Sequence, residues 1–188
     1  MKRLLVILLL VGAITSGCAF ATHKAVVVNP DVAVTESDMG QGKMILTNVF
    51  DERPKTVLGT RGVRGIGSEI GVEGNLCQPI KKSINDGLKR ASFSPVETRT
   101  ADGRELRVEI RNLDYAIIQG FWAGTLRTNC GLKAVCVIGN NRPYENLYRG
   151  EFEESIQVIQ SEEANERYIN LAVSKAINAL LNDGSSPG

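Results

Sequence analysis

Histidine is almost missing from this sequence: 188 residues hold one, His23, alongside four cysteines. A transition-metal site assembled from the usual nitrogen and sulfur ligands has little to draw on. Neither sign of charge is in excess, with 22 Lys and Arg against 21 Asp and Glu, so there is no basic stripe to neutralise phosphates, and no nucleic-acid partner is expected. Aromatics make up 5% of the chain, with one tryptophan. No apolar run reaches the roughly 20 residues that a membrane-spanning helix needs. What is plentiful is aliphatic bulk: 43% of residues are hydrophobic, enough for a packed core, and the length suits one domain.

The amino terminus carries the clearest signal. Lys2 and Arg3 precede an uncharged apolar stretch over residues 4–14, followed by Thr15, Ser16, Gly17 and Cys18. The length fits a secretory signal peptide, and the small residues before a thiol resemble the lipobox of bacterial lipoproteins. Leu is usual where Thr15 stands, and Ile14 sits one place earlier. The plainer alternative is an ordinary signal peptide cut near Ala19 or Ala21. On the lipobox reading, residues 1–17 are removed, Cys18 is acylated, and residues 18–23 form a tether. A domain then spans residues 24–182, and residues 183–188 are a flexible tail. Several acyl chains on one cysteine exceed what stable anchoring requires. Ala19, in place of the Asp that retains lipoproteins in the inner membrane, directs the expectation to the periplasmic face of the outer membrane. Loss of Lys2 and Arg3 leaves 20 basic and 21 acidic side chains, a net charge of −1.

Periodicity predicts an α+β fold, a mixed or antiparallel sheet with two helices on one face. Strands are expected at 24–28 and at 43–50, the latter apolar on both faces and so central and doubly covered. Residues 59–74 read as a glycine-rich loop with a short strand at 69–72. Leu76, Ile80, Ile84 and Leu88 set one apolar stripe on a helix over 75–91, and Phe93 and Val96 start the return into a strand. In 105–111 the alternation of Leu106, Val108 and Ile110 with charged residues marks a half-buried strand, and a one-residue slip at Asn112 marks a β-bulge. Even positions from Leu126 to Ile138 face inward. A loop at 140–143 leads to a strand over 145–158 with Tyr148, Phe152, Ile156 and Val158 inward. Glu154 shares their parity, which an edge position, a bulge or pairing with a buried arginine would explain; a bulge is the expectation. Ser161 caps a helix to Leu181.

No catalytic constellation stands out, and no enzyme activity, metal or cofactor is expected. Arg61 and Arg64, among the glycines of 59–67, offer a possible anion cradle; the lysine and hydroxyl of a phosphate loop are absent, and a structural loop is the simpler reading. Asp51 and Glu52 read as an ion-paired corner with Arg53 and Arg61. Cys130 and Cys136 fall some 20 Å apart on one strand and cannot bridge, which leaves Cys77, Cys130 and Cys136 as buried free thiols unless Cys77 reaches one of the others. Phe121 and Trp122, between Gly120 and Gly124, form either an exposed contact patch for protein or bilayer or a cap folded over the sheet.

The lipobox, "VFDERP", "IKKSINDGLKRASFSPV", "LRVEIRNLDY" with "GFWAG", and "YENLYRGEFEE" before "NERYINLAVSKAINALL" occur in an order that resembles the YajG-like bacterial lipoproteins. The resemblance implies an outer-membrane lipoprotein with a small α+β domain and no established activity. Two roles follow as expectations: a lipid-anchored, non-enzymatic module that binds envelope proteins, or a ligand-binding auxiliary lipoprotein of a transport system, taking lipid, glycan or peptidoglycan fragments in an apolar pocket between helices and sheet.

Overall fold

A computed structural model of the chain describes residues 23–25, 30–61, 67–100, 103–120, 123–139, 141–157 and 160–183. Among them the order is β1 (His23–Ala25), β2 (Met44–Asp51), β3 (Val57–Thr60), β4 (Glu69–Val72), α1 (Cys77–Arg90), β5 (Ser94–Val96), β6 (Arg104–Gln119), β7 (Gly124–Ile138), β8 (Asn141–Ile156) and α2 (Glu162–Leu181). A five-stranded sheet is ordered β5-β2-β6-β7-β8, and a three-stranded one β1-β4-β3. In the large sheet β2 runs parallel to β5 and β6, while β6, β7 and β8 form an antiparallel meander. The class is α+β, as the periodicity requires.

Both helices press on one face of the large sheet. The α1 stripe of Leu76, Ile80, Ile84 and Leu88 is buried, as are Ile169, Ala172, Val173, Ala176 and Ile177 of α2. They meet Leu106, Val108, Ile110, Leu126, Leu132 and Ala134 in one continuous core. The ladder between β6 and β7 shifts register between Ile110 and Asn112, the bulge that the phase slip predicts. The bulge keeps apolar side chains inward from Leu106 through Tyr115 of β6. Helix α2 lies very close to β8: a Cβ on Gly150 would sit 1.9 Å from the Ala172 carbonyl oxygen. Only glycine allows that approach.

A segment that local pattern does not reveal fills the seam between the helices. Its backbone is held from both sides: the Asp31 amide donates to Ser174 Oγ and the Ala33 amide to Asn178 Oδ1. From the other helix, Ser83 Oγ donates to the Pro30 carbonyl and Arg90 Nη1 to that of Val32. Val32 is buried among core residues. The chain then passes the C-terminal end of α1, where the Gly40 amide donates to Ala91 O, and enters β2.

Several expectations need correction. β2 is an interior strand but is covered on both faces only in part: the consecutive Ile45, Leu46 and Thr47 are buried, while Met44 and Phe50 are exposed. β3 was not anticipated; it abuts β6 at Tyr115, beyond the point where β2 ends opposite Ile110. The β7–β8 loop is shorter than 140–143, because Asn141 already pairs with Ile138. No bulge accompanies Glu154: it pairs in register with Leu126 on the edge strand β8 and hydrogen-bonds Tyr168. The helix cap is as expected, with Ser161 Oγ accepting from the Ala164 amide at 3.3 Å.

Candidate interaction surfaces

Alternation sends every second side chain of the large sheet away from the helices. On β6, β7 and β8 that outward set is mostly charged, and it is paired across the surface. Glu109 accepts from Arg107 at 3.1 Å and Arg111 at 3.2 Å, Lys133 meets Glu145 at 2.7 Å, and Arg127 pairs with Glu153. Arg107 also covers the exposed Phe50 ring, 4.5 Å from its centroid. A shallow groove runs across this face, lined by Glu105, Arg107, Glu109, Lys133 and Glu145, with Val135 at its floor. Exposed ion pairs of this kind contribute about 0–1 kcal/mol each, so a charged partner can exchange with them at little cost.

The "VFDERP" corner is an ion pair as expected, but Arg53 alone supplies the positive charge. Its Nε and Nη2 donate to the two Asp51 carboxylate oxygens at 2.8 Å each. The Arg53 side chain is 6% exposed, and its Nη1 is buried without a hydrogen-bond partner. These bonds hold the Asp51 carboxyl below its usual range. Arg61 lies elsewhere: its Nε and Nη2 donate to the Gln160 carbonyl at 3.3 and 2.9 Å, tying the end of β3 to the start of α2.

Cys77, Cys130 and Cys136 are all free. Burial raises the thiol pKa of each, to about 12 for Cys130. A thiol held protonated is a poor nucleophile. Among the described residues no group of three or more His, Cys, Asp and Glu is placed to hold a metal ion, and no helix is long and apolar enough to cross a membrane.

At the opposite end of α2, the hydroxyls of Tyr144 and Tyr148 donate to Asp183 Oδ2 at 2.5 and 2.6 Å, and Asn146 Nδ2 approaches the same oxygen at 3.3 Å. Asp183 is therefore fastened to β8, although its place in the sequence suggests a loose tail. The only local hint is that Tyr144, Asn146 and Tyr148 share one strand parity.

Of the residues singled out from sequence, Cys18, Arg64, Phe121 and Trp122 fall outside the described residues. The strands that bracket the last two reach Gln119 and Gly124, which pair, and the Gly120 amide donates to Ala123 O at 2.9 Å. Nearby Ile118 is 48% exposed.

A family model described as "uncharacterized lipoprotein" matches residues 30–185. No curated protein matches the chain. Among solved structures, a Helicobacter pylori protein titled a neuraminyllactose-binding hemagglutinin homolog superposes with a TM-score of 0.53 at 11% identity, covering 83% of this chain and 92% of that one. A Xanthomonas campestris protein of the DUF330 family gives 0.52 at 13% identity, covering 84% and 92%. At such identities the likeness shows a shared fold.

Proposed function

The chain belongs to this family of uncharacterised, YajG-like lipoproteins, and from that premise we propose that it is a non-enzymatic envelope module. It is held on the periplasmic face of the outer membrane by lipid on Cys18 and acts by contact with other envelope proteins. Family membership is the observation that carries this reading. The "TSGC" run ending at Cys18 supplies an acceptor thiol, and one acylated cysteine would tether the whole fold. The ion-paired outer face of the large sheet supplies a polar surface on which a protein partner can be recognised by charge.

The test has two arms. Palmitate should enter the wild-type protein but not Cys18→Ser, and the variant should leave the membrane fraction. Crosslinking in the native envelope should recover a partner that is lost when Phe121 and Trp122 are both replaced by Ser. Unchanged partners would remove those two residues from the account. The alternative, a carrier for lipid, glycan or peptidoglycan fragments, gains no support from the helix–sheet seam, which is filled by fully buried side chains. A co-purifying ligand in native mass spectrometry would revive it.

A further inference from the structure

The large sheet ends at β8, which hydrogen-bonds β7 on one side only. Two side chains mark the backbone groups of β8 that point away from β7. Asn146 Oδ1 accepts from the Leu147 amide at 2.8 Å, and Lys175 Nζ on α2 donates to the Glu151 carbonyl at 2.9 Å. In an antiparallel ladder, successive residues alternate between facing the paired strand and facing away. The β7–β8 register is unbroken from Tyr144 to Ile156, so Leu147, Arg149 and Glu151 all turn their N–H and C=O groups outward. No described strand meets them.

The same stretch carries charge that the sheet does not neutralise. On either side of it, Arg127 pairs with Glu153 and Lys133 with Glu145. Arg149 and Glu151 instead lie opposite Gly131 and Asn129, which bring no charge, and neither forms an ion pair among the described residues. Asn129 Oδ1 is itself buried without a hydrogen-bond partner. A depression of about 240 Å³ opens between Asn129, Leu147, Arg149 and Glu151, with Arg111 on its far wall. Leu147 is 46% exposed. The flank of α2 beside this edge is open too, since Lys175 and Leu171, one turn before it, are exposed.

A strand added here finds outward backbone groups, one apolar neighbour and two uncompensated charges of opposite sign. Side chains directly opposite across a ladder attract when their charges oppose, so the order along β8 dictates the entering chain. Running antiparallel, it needs a base opposite Glu151, an acid opposite Arg149 and an apolar residue opposite Leu147, at alternate positions. The acid also faces Arg111 across the depression. A lysine over an edge strand discourages indiscriminate pairing, and Lys175 must release the Glu151 carbonyl before a strand seats. Matching charges offset that loss.

We propose that β8 is a docking edge: over Leu147, Arg149 and Glu151 it takes an extended segment of another envelope protein as an added strand, selected by a base, an acid and an apolar residue at alternate positions. This rests on the contact role of the preceding section and names the kind of segment that makes the contact. The full-length acylated protein in phosphatidylcholine vesicles would be titrated with the end-blocked peptide Thr-Lys-Thr-Lys-Thr-Glu-Thr-Leu-Thr, whose alternate threonines favour an extended chain. At saturation, amide exchange at Arg149 and Glu151 should slow by at least about tenfold, because both N–H groups enter the new ladder. The charge-reversed peptide Thr-Glu-Thr-Glu-Thr-Lys-Thr-Leu-Thr should bind at least about tenfold more weakly. Arg149→Glu, an exposed change, should shift preference to the first peptide with Lys in place of its Glu. Equal affinity for the two peptides, or binding that leaves exchange at those two amides unchanged, would overturn the docking edge. A native envelope that yields no protein crosslink to the chain would instead count against the contact role, whether or not the peptide binds.

Discussion

The Tyr115 hydroxyl donates to Asn165 Oδ1 at 2.9 Å within the core, fastening β6 to the first turns of α2. Asn165 is fully buried, so removal of the hydroxyl strands part of a polar side chain in apolar surroundings. Tyr115→Phe should cost about 1–3 kcal/mol, read as a lower urea midpoint with an unchanged denaturant slope. Since the bond also orients the start of α2, Asn165 and Tyr115 should couple in a double-mutant cycle.

Gly150 and Gly87 make a second, comparative prediction. A Cβ at Gly150 meets the backbone of Ala172 and Ala176, whereas one at Gly87 meets the Leu181 methyl at the end of a flexible side chain. Backbone cannot step aside cheaply. Gly150→Ala should destabilise by about 2–4 kcal/mol through overpacking. Gly87→Ala should change stability by less than about 1 kcal/mol, because the gain in helix propensity offsets the crowding. Thermal melts of the two variants decide the matter.

Alkaline pH should weaken the fold through Cys130. Its thiol ionises near 9 when exposed and is pushed up to about 12 by burial, so the folded state resists losing that proton. The stabilisation is whole below pH 9 and is withdrawn as pH climbs toward 12, by up to about 1.4 kcal/mol per pH unit. Cys130→Ala should flatten this part of the stability profile at the cost of its own cavity. Tyr115, also raised to about 12 by burial, adds a loss that begins near pH 10.

Asp51→Asn should destabilise by about 1–3 kcal/mol, since the buried Arg53 loses the carboxylate that takes two of its donors. Asp51 has a lowered pKa, so its contribution is present above the unfolded value of 3.8 and fades as acid protonates it. The variant should show a shallower loss of stability below pH 4. Replacing Arg53 by Met in the same chain should recover part of the deficit, because no buried cation then remains unpaired.

Local periodicity made the framework legible. Four-residue spacing disclosed α1, parity disclosed β6 and β7, and a single phase slip located the bulge at Ile110 and Asn112. Ser161 announced the cap of α2 by residue type alone. What stayed hidden depends on partners distant in sequence. Asp31 and Ser174 are 143 residues apart, Tyr144 and Asp183 are 39 apart, and no local pattern links such pairs. β3 escaped notice because it has four residues, one of them glycine. Apolarity on both faces of β2 suggests a second covering layer along the whole strand, yet Phe50 stays exposed with Arg107 over its ring. Arg61 was read toward an acidic neighbour, whereas its donors reach a backbone carbonyl 99 residues later.

Residues 30–33, inserted between α1 and α2, make the beginning of the domain the last element that its core can do without. A shortened chain starting at β2 would keep every long strand and both helices, but would open a slot along the helix pair where Val32 now lies. Ser83, Ser174 and Asn178 would then line an unfilled seam, exposing methyls of Leu181 to water. Anyone preparing a soluble version of this protein would do well to place the first residue ahead of Pro30.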